Sequence, residues 1–196
     1  MKAATLLLCL MSFLPTGVVA QRAAQPSSSD DRLRLAAAAL AQVGITRIYD
    51  PSYVRIPYPG GDVPLERGVC ADVVVRAFRA IGVDLQVAVH QDMIRAFHAY
   101  PQSWGLRRPD PNIDHRRVPN LMRFFDRKGK SLPLDRDFRP GDVVAWRLPN
   151  GLLHIGMVSS RKVPHAERYQ MVHNIGEGAR LEDVLEEFTI IGHYRW

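Results

Sequence analysis

Cysteine is scarce in this chain of 196 residues: Cys9 and Cys70 are its only thiols. A disulfide framework, which needs several paired half-cystines, is excluded. The one notable apolar run, Leu6 to Leu14, is too short to cross a bilayer as a helix, so stable membrane insertion is not expected. The Gly60-Gly61 pair has neither the spacing nor the following Lys of a phosphate loop. Metal-ligand spacings such as H-x-x-x-H are also missing, and neither a metal nor another cofactor is expected. There is no internal repeat. The net charge of +6 comes from Arg and Asp residues that are interspersed, and without a basic stripe nucleic acid is not an expected partner.

The N-terminus carries the first positive signal. "MKAATLLLCLMSFLPTGVVA" joins Lys2, a short apolar run, the helix breakers Pro15 and Gly17, and Val18-Val19-Ala20 ahead of Gln21. That is the layout of a secretory signal peptide over residues 1–20, and it predicts a periplasmic or secreted protein. Cys9 lies inside the apolar core rather than after it, which argues against acylation as a lipoprotein anchor. Cleavage would leave Cys70 alone in a compartment that favours disulfides. An intramolecular bridge is then impossible, so Cys70 is buried, intermolecular or reactive.

Residues 21–31 are polar and contain Pro and Ser, as in a flexible leader, and 32–196 form one domain. Asp30 and Asp31 predict a cap for an Ala/Leu-rich helix that stops at Gly44. Residues 45–68 are irregular, and a loop that long inside a compact domain is usually functional. The spacing of Val73, Val74, Ala77, Phe78 and Ile81 predicts a helix over 70–81. Further helices are expected in "VHQDMIRAFHAY" and "RRVPNLMRFFDRKG". After "RPGD" the runs "DVVAWRL", "LLHIGMVSS", "RYQMVHNI" and "FTIIGHYRW" predict four antiparallel strands. Helices first and strands second argue for an α+β domain with the helices on one side of the sheet.

Cys70 opens its helix, where the dipole and free N–H groups lower a thiol pKa and can stabilise an oxyanion. Asp72, in the same first turn, favours the helix but opposes a thiolate. A lone His154 among apolar residues is by default structural. On an alternating strand, however, Leu152, His154 and Gly156 share a face, and a neighbouring "MVHNI" strand would set His173 or Asn174 beside His154. Cysteine, histidine and an orienting polar group make a nucleophile–base–orienter set.

Tyr58, Gly60, Gly61 and Cys70, then Pro140-Gly141-Asp142, then His154-Ile155-Gly156 with Val158, then Val172-His173 form an order that resembles the NlpC-type cell-wall cysteine peptidases, a branch of the papain-like fold. The resemblance implies that Cys70 is the nucleophile, His154 the base and His173 the orienter, with Asn174 in reserve. It also implies that Tyr58 helps build the substrate site; Gly61 and Asp72 complete the expected substrate-binding set. The segment Val69-Cys70-Ala71-Asp72 stands where that family has Asp-Cys-Ser-Gly. More narrowly, residues 33–196 resemble bacterial family 1287 of the domains of unknown function, through "VCADVVVRAFRAIGVDLQ", "YPQSWGLRRPDPNIDHRRVPNL" and "HNIGEG". By resemblance and compartment, the expected activity is hydrolysis of an amide in peptidoglycan stem peptides by a monomer, with peptidoglycan or another envelope polymer as partner.

Two rivals remain open. One is thiol-dependent processing of acyl or lipid substrates, which an apolar cleft built by residues 90–139 would favour. The other is a non-catalytic wall-binding module on the same fold. Trp104 and Trp146 are weighed as sugar-stacking rings, with core packing the default. Asp114-His115 is expected to be a surface loop with Arg partners rather than a metal pair, and His165 and His193 carry no assigned role.

Overall fold

The computed structural model describes residues 28–135 and 137–196; the signal peptide expected over 1–20 lies outside them. The first helix, α1 (Ser28–Leu40), takes in the last four residues of the expected leader. Asp30 and Asp31 sit inside its first turn instead of capping it, where negative charge also suits the helix dipole. Leu35, Ala36 and Ala39 bury its apolar stripe. The irregular stretch that follows is held at two points. A two-residue parallel pairing joins β1 (Ile48–Tyr49) to β2 (Arg67–Gly68). Arg76 then reaches across from the next helix to Asp62 (3.0 Å) and donates to the carbonyls of Val63 and Arg67.

That helix is α2 (Cys70–Arg79), close to the expected span, with Val73, Val74, Ala77 and Phe78 fully buried. Next, α3 (Leu85–Ala96) is capped by Asp84, which accepts from the N–H of Gln86 at 2.9 Å. The last helix, α4 (Val118–Arg127), carries Pro119 near its start, where a missing N–H costs nothing. Between α3 and α4 the "NIDHRR" stretch forms a 3₁₀ turn, Asp114–Arg116, and is buried rather than on the surface as expected. Its Asp114 does pair with an arginine, Arg117, at 3.0 Å.

Five strands follow: β3 (Val143–Arg147), β4 (Leu153–Lys162), β5 (Tyr169–His173), β6 (Arg180–Glu182) and β7 (Thr189–Tyr194). They form one antiparallel sheet in the order β6-β5-β4-β3-β7, a meander whose last strand returns beside the first. The short β6 was not expected, because "RLE" has no run of β-branched residues. Helices α1, α2 and α4 lie against β4, and Val143, Ala145, Ile155, Met157 and Val172 face them. The opposite face carries Val144, Trp146, Val158 and Met171, covered by Val184 and Leu185 from the β6–β7 connection. The domain is thus α+β with its helices on one side of an antiparallel sheet. Among the described residues no helix is long and apolar enough to cross a membrane.

A buried carboxylate closes the sheet's outer half. Asp142 is fully buried and accepts from the N–H of Arg139 (2.8 Å), His193 Nε2 (2.9 Å) and Arg195 Nη2 (2.7 Å). Burial alone would raise its pKa, but the bonds from Arg195 and His193 hold it below the usual carboxylate range. Asp142→Ala would strip buried His193 of its carboxylate and leave Arg195 only the exposed Asp137 (3.1 Å), which should cost about 3–5 kcal/mol, read as a fall in the urea midpoint at neutral pH.

Candidate active site

Cys70 is the first residue of α2 and is 5% exposed. The main-chain N–H groups of Ile155, Ala71 and Cys70 itself act on its sulfur in the direction that favours the thiolate. β5 ends opposite Gly156, so Ile155 lies just past the pairing, where the mouth between β4 and β5 opens. The expected depression of the thiol pKa does not occur. Burial, helped by the nearby Asp72 charge, outweighs the N–H groups and pushes Cys70 up to about 11. At neutral pH the resting group is a thiol.

His154 projects from the other face of β4. Its ring stacks on Trp146 (centroids 5.6 Å, 25°), and its Nε2 lies 2.9 Å from His173 Nδ1. The register explains the pair. Gly156 stands opposite His173, and a Cβ there would lie 2.8 Å from the carbonyl oxygen of Val172 and 3.0 Å from the His173 Cβ. Only glycine leaves room for His173 beside His154. Beyond it, Glu182 on β6 places Oε2 2.9 Å from His173 Nε2, outside hydrogen-bond alignment but within charge contact. That carboxylate favours the proton on His173 Nε2, which makes Nδ1 the acceptor from His154 Nε2–H. His154 Nδ1 is then the nitrogen left to take a proton. Burial, with His173 adding to it, lowers the His154 pKa to about 3. Burial also lowers that of His173, partly opposed by Glu182. No hydrogen bond joins the thiol to the imidazole among the described residues, so the resting pair is neutral on both sides.

Cys70 lines a cleft of about 580 Å³, and His154 lines an adjoining one of about 420 Å³. Tyr49, Leu152 and Leu153 belong to both. Trp104, Ile113, Arg116, Arg117, Val118 and Pro119, all from the 90–139 stretch, build one wall of the Cys70 cleft. Trp104 lies under the Arg117 guanidinium at 4.0 Å, whereas Trp146 is fully buried and donates to Leu185 O.

The remaining expected site residues lie elsewhere. Tyr58 is exposed and packs edge-on against His90, outside the cleft, because the loop carries it to the α3 side. Gly61 also stands outside the lining. It donates to Gln86 Oε1 (2.9 Å), and a Cβ there would lie 2.0 Å from Pro57 O, so its role is close packing of the loop. Asp72 is 3% exposed and spent on structure: it accepts from Val69 N–H (2.7 Å) and pairs with Arg116 Nε (2.9 Å). Asn174 is fully buried and turned away from His154, donating to Gly68 O at 3.0 Å. His193 is bound to Asp142, and His165 sits exposed in the β4–β5 connection. Among the described residues no group of three or more His, Cys, Asp or Glu could hold a metal ion. Tyr49, Arg116 and Glu182 were not expected. Tyr49 has no period or motif around it, Arg116 finds its partner 44 residues away, and Glu182 sits on the unforeseen strand.

Two pH effects follow. Alkylation of Cys70 by iodoacetamide should be slow at pH 7 and rise steadily toward pH 11; a fast plateau at acidic pH would contradict the buried neutral thiol. Stability should fall below pH 6.5. The folded state keeps His154 and His115 neutral down to about 3 and 4, while the unfolded chain binds their protons near 6.5. Between these values the unfolded state holds more protons, which costs on the order of 1 kcal/mol per pH unit for each histidine. The slope of the urea midpoint from pH 7 to pH 5 should flatten in His154→Gln.

Comparison with known proteins gives a family without a stated activity. The model of the family described as "Domain of unknown function (DUF1287)" matches residues 36–196. "Uncharacterized protein YijF" of Escherichia coli (strain K12) is 48% identical over 203 aligned positions, covering 100% of this chain and 98% of that protein. No solved structure matches. With a fold, a thiol at a helix start and paired histidines in place, the chain belongs to the DUF1287 family.

Proposed function

We propose that the protein is an exported cysteine hydrolase of papain-like, NlpC-type fold that cleaves an amide bond in peptidoglycan stem peptides. The observation that carries this reading is the 2.9 Å contact from His154 Nε2 to His173 Nδ1, beside a cleft that holds Cys70 at a helix start. The signal-peptide pattern supports the periplasm or the exterior as its place of work.

In this reading, substrate binding brings the scissile carbonyl over the thiol and draws the imidazole into line, since catalytic hydrogen bonds often tighten only in the bound complex. The Cys70 sulfur attacks the carbonyl carbon as its proton passes to His154 Nδ1. His173, steadied by Glu182, holds the resulting imidazolium. The tetrahedral intermediate collapses, the amine leaves with the proton from His154, and an acyl-thioester remains. Water gives its proton to His154, attacks the thioester and releases the acid, restoring the thiol. Burial, with Cys70 and Asp72 nearby, raises the Tyr49 pKa, so its hydroxyl stays protonated and is the donor offered to the oxyanion in place of Tyr58.

A second reading has its own support. The Cys70 cleft is lined mainly by Tyr49, Pro51, Tyr53, Val69, Ile113, Val118 and Leu152, a surface that suits an acyl chain. One experiment separates the two. Wild type and Cys70→Ala are each incubated with purified peptidoglycan and with a long-chain acyl thioester under reducing conditions, and products are read by mass spectrometry. Peptidoglycan fragments from wild type alone support the amidase; thioester turnover with peptidoglycan intact moves the assignment to acyl processing. Against the accepted substrate, His154→Ala should lower kcat by about 10²–10⁴-fold and Tyr49→Phe by about 10²-fold. Asn174→Ala should alter stability rather than the pH profile of kcat.

A further inference from the structure

A groove larger than the Cys70 cleft lies outside the site just discussed. It encloses about 830 Å³ between the β1–β2 loop and the α3–α4 connection. Tyr53 lines it and also lines the Cys70 cleft, so the two adjoin at that residue. Its ring is fixed, because the Tyr53 hydroxyl donates to Asp110 Oδ2 (3.0 Å) and accepts from Asn112 Nδ2 (3.0 Å).

Charge sets this groove apart. Arg55 and Arg108 both line it, both are exposed, and neither guanidinium has a carboxylate or carbonyl partner among the described residues. The contrast is local: Arg67, Arg76, Arg79, Arg116 and Arg117 are each paired with an aspartate. The one acidic side chain in the groove, Asp110, is already engaged by Tyr53, by Asn112 and by the Arg117 charge. Two unspent planar cations that line the groove together with Ile94 and the prolines 109 and 111 match a carboxylate on a partly aliphatic chain. The negative Asp110 in the same wall works against a dianionic phosphate.

We propose that the groove beyond Tyr53 is a second binding site, which seats a carboxylate-bearing stretch of the same substrate chain whose scissile carbonyl lies over Cys70. This rests on the peptide-hydrolase reading above. Arg55 and Arg108 hold the distal carboxylate, and the Tyr53 ring sets the distance from it to the thiol.

The test reads binding and turnover separately. Muramidase-solubilised peptidoglycan fragments, native or with carboxyls amidated, are titrated calorimetrically into the Cys70→Ala protein, with and without Arg55→Gln and Arg108→Gln. Native fragments should bind about tenfold more tightly than amidated ones, and the double substitution should abolish that difference, as expected for two exposed charge-assisted contacts. Its melting temperature should not change, because neither side chain holds a structural partner. In the catalytically intact protein the same double substitution should raise KM about tenfold and leave kcat unaltered. Equal affinity for native and amidated fragments, or an unaffected double variant, overturns the site. Tighter binding of a glycerol-phosphate oligomer than of the native fragment overturns the carboxylate assignment. Arginine-dependent binding without any peptidoglycan cleavage would remove the hydrolase and keep the groove; cleavage with an unchanged KM would do the reverse.

Discussion

The contact between Asp72 and Arg116 organises everything around Cys70. Both side chains are almost wholly buried, the guanidinium meets both carboxylate oxygens at 2.9 Å, and the second oxygen also accepts from Val69 N–H. Arg116 leans in addition toward the carbonyls of Asp50 and Ser52, each at 3.4 Å. One ion pair therefore joins the start of α2, the loop after β1 and the 90–139 wall. A buried pair of this kind adds little net stability, but removing one partner strands the other charge in a low-dielectric interior. The cleft and its thiol share that constraint.

The same pair sets the chemistry. An aspartate two residues from Cys70 opposes ionisation of the thiol, and burial opposes it more, so the helix dipole does not prevail there. The paired histidines are likewise held neutral by burial. A site built this way keeps a quiet, protonated thiol, protected from adventitious oxidation.

Much of this was legible in the chain, for identifiable reasons. Helix α2 follows from apolar spacing, and β3, β4, β5 and β7 from β-branched runs between turn residues. Alternation along β4 and β5 was enough to set a polar residue of "VHN" beside His154; the register, which sequence leaves free by one residue, decided for His173 over Asn174. Tyr49 was missed and Tyr58 overvalued because residues 45–68 have no periodicity. Their path depends on Arg76, Arg79 and Gln86 reaching in from helices. The fate of "NIDHRR" was hidden for a similar reason. Four polar residues in a row look like surface until distant partners appear, and Asp72 is 44 positions from Arg116.

Asp142 has a consequence for the order in which the molecule is completed. Its compensating groups come from His193 and Arg195, and Trp196 fills the aromatic cluster with Phe78, Phe124 and Phe125. A chain emerging amino-end first therefore has its helices and its first three long strands before it has the means to bury that carboxylate. Until residues 193–196 arrive, a charge at the heart of the sheet remains unneutralised and an aromatic face stays open to water. The fold is closed by residues that come late in the chain order, His193 to Trp196.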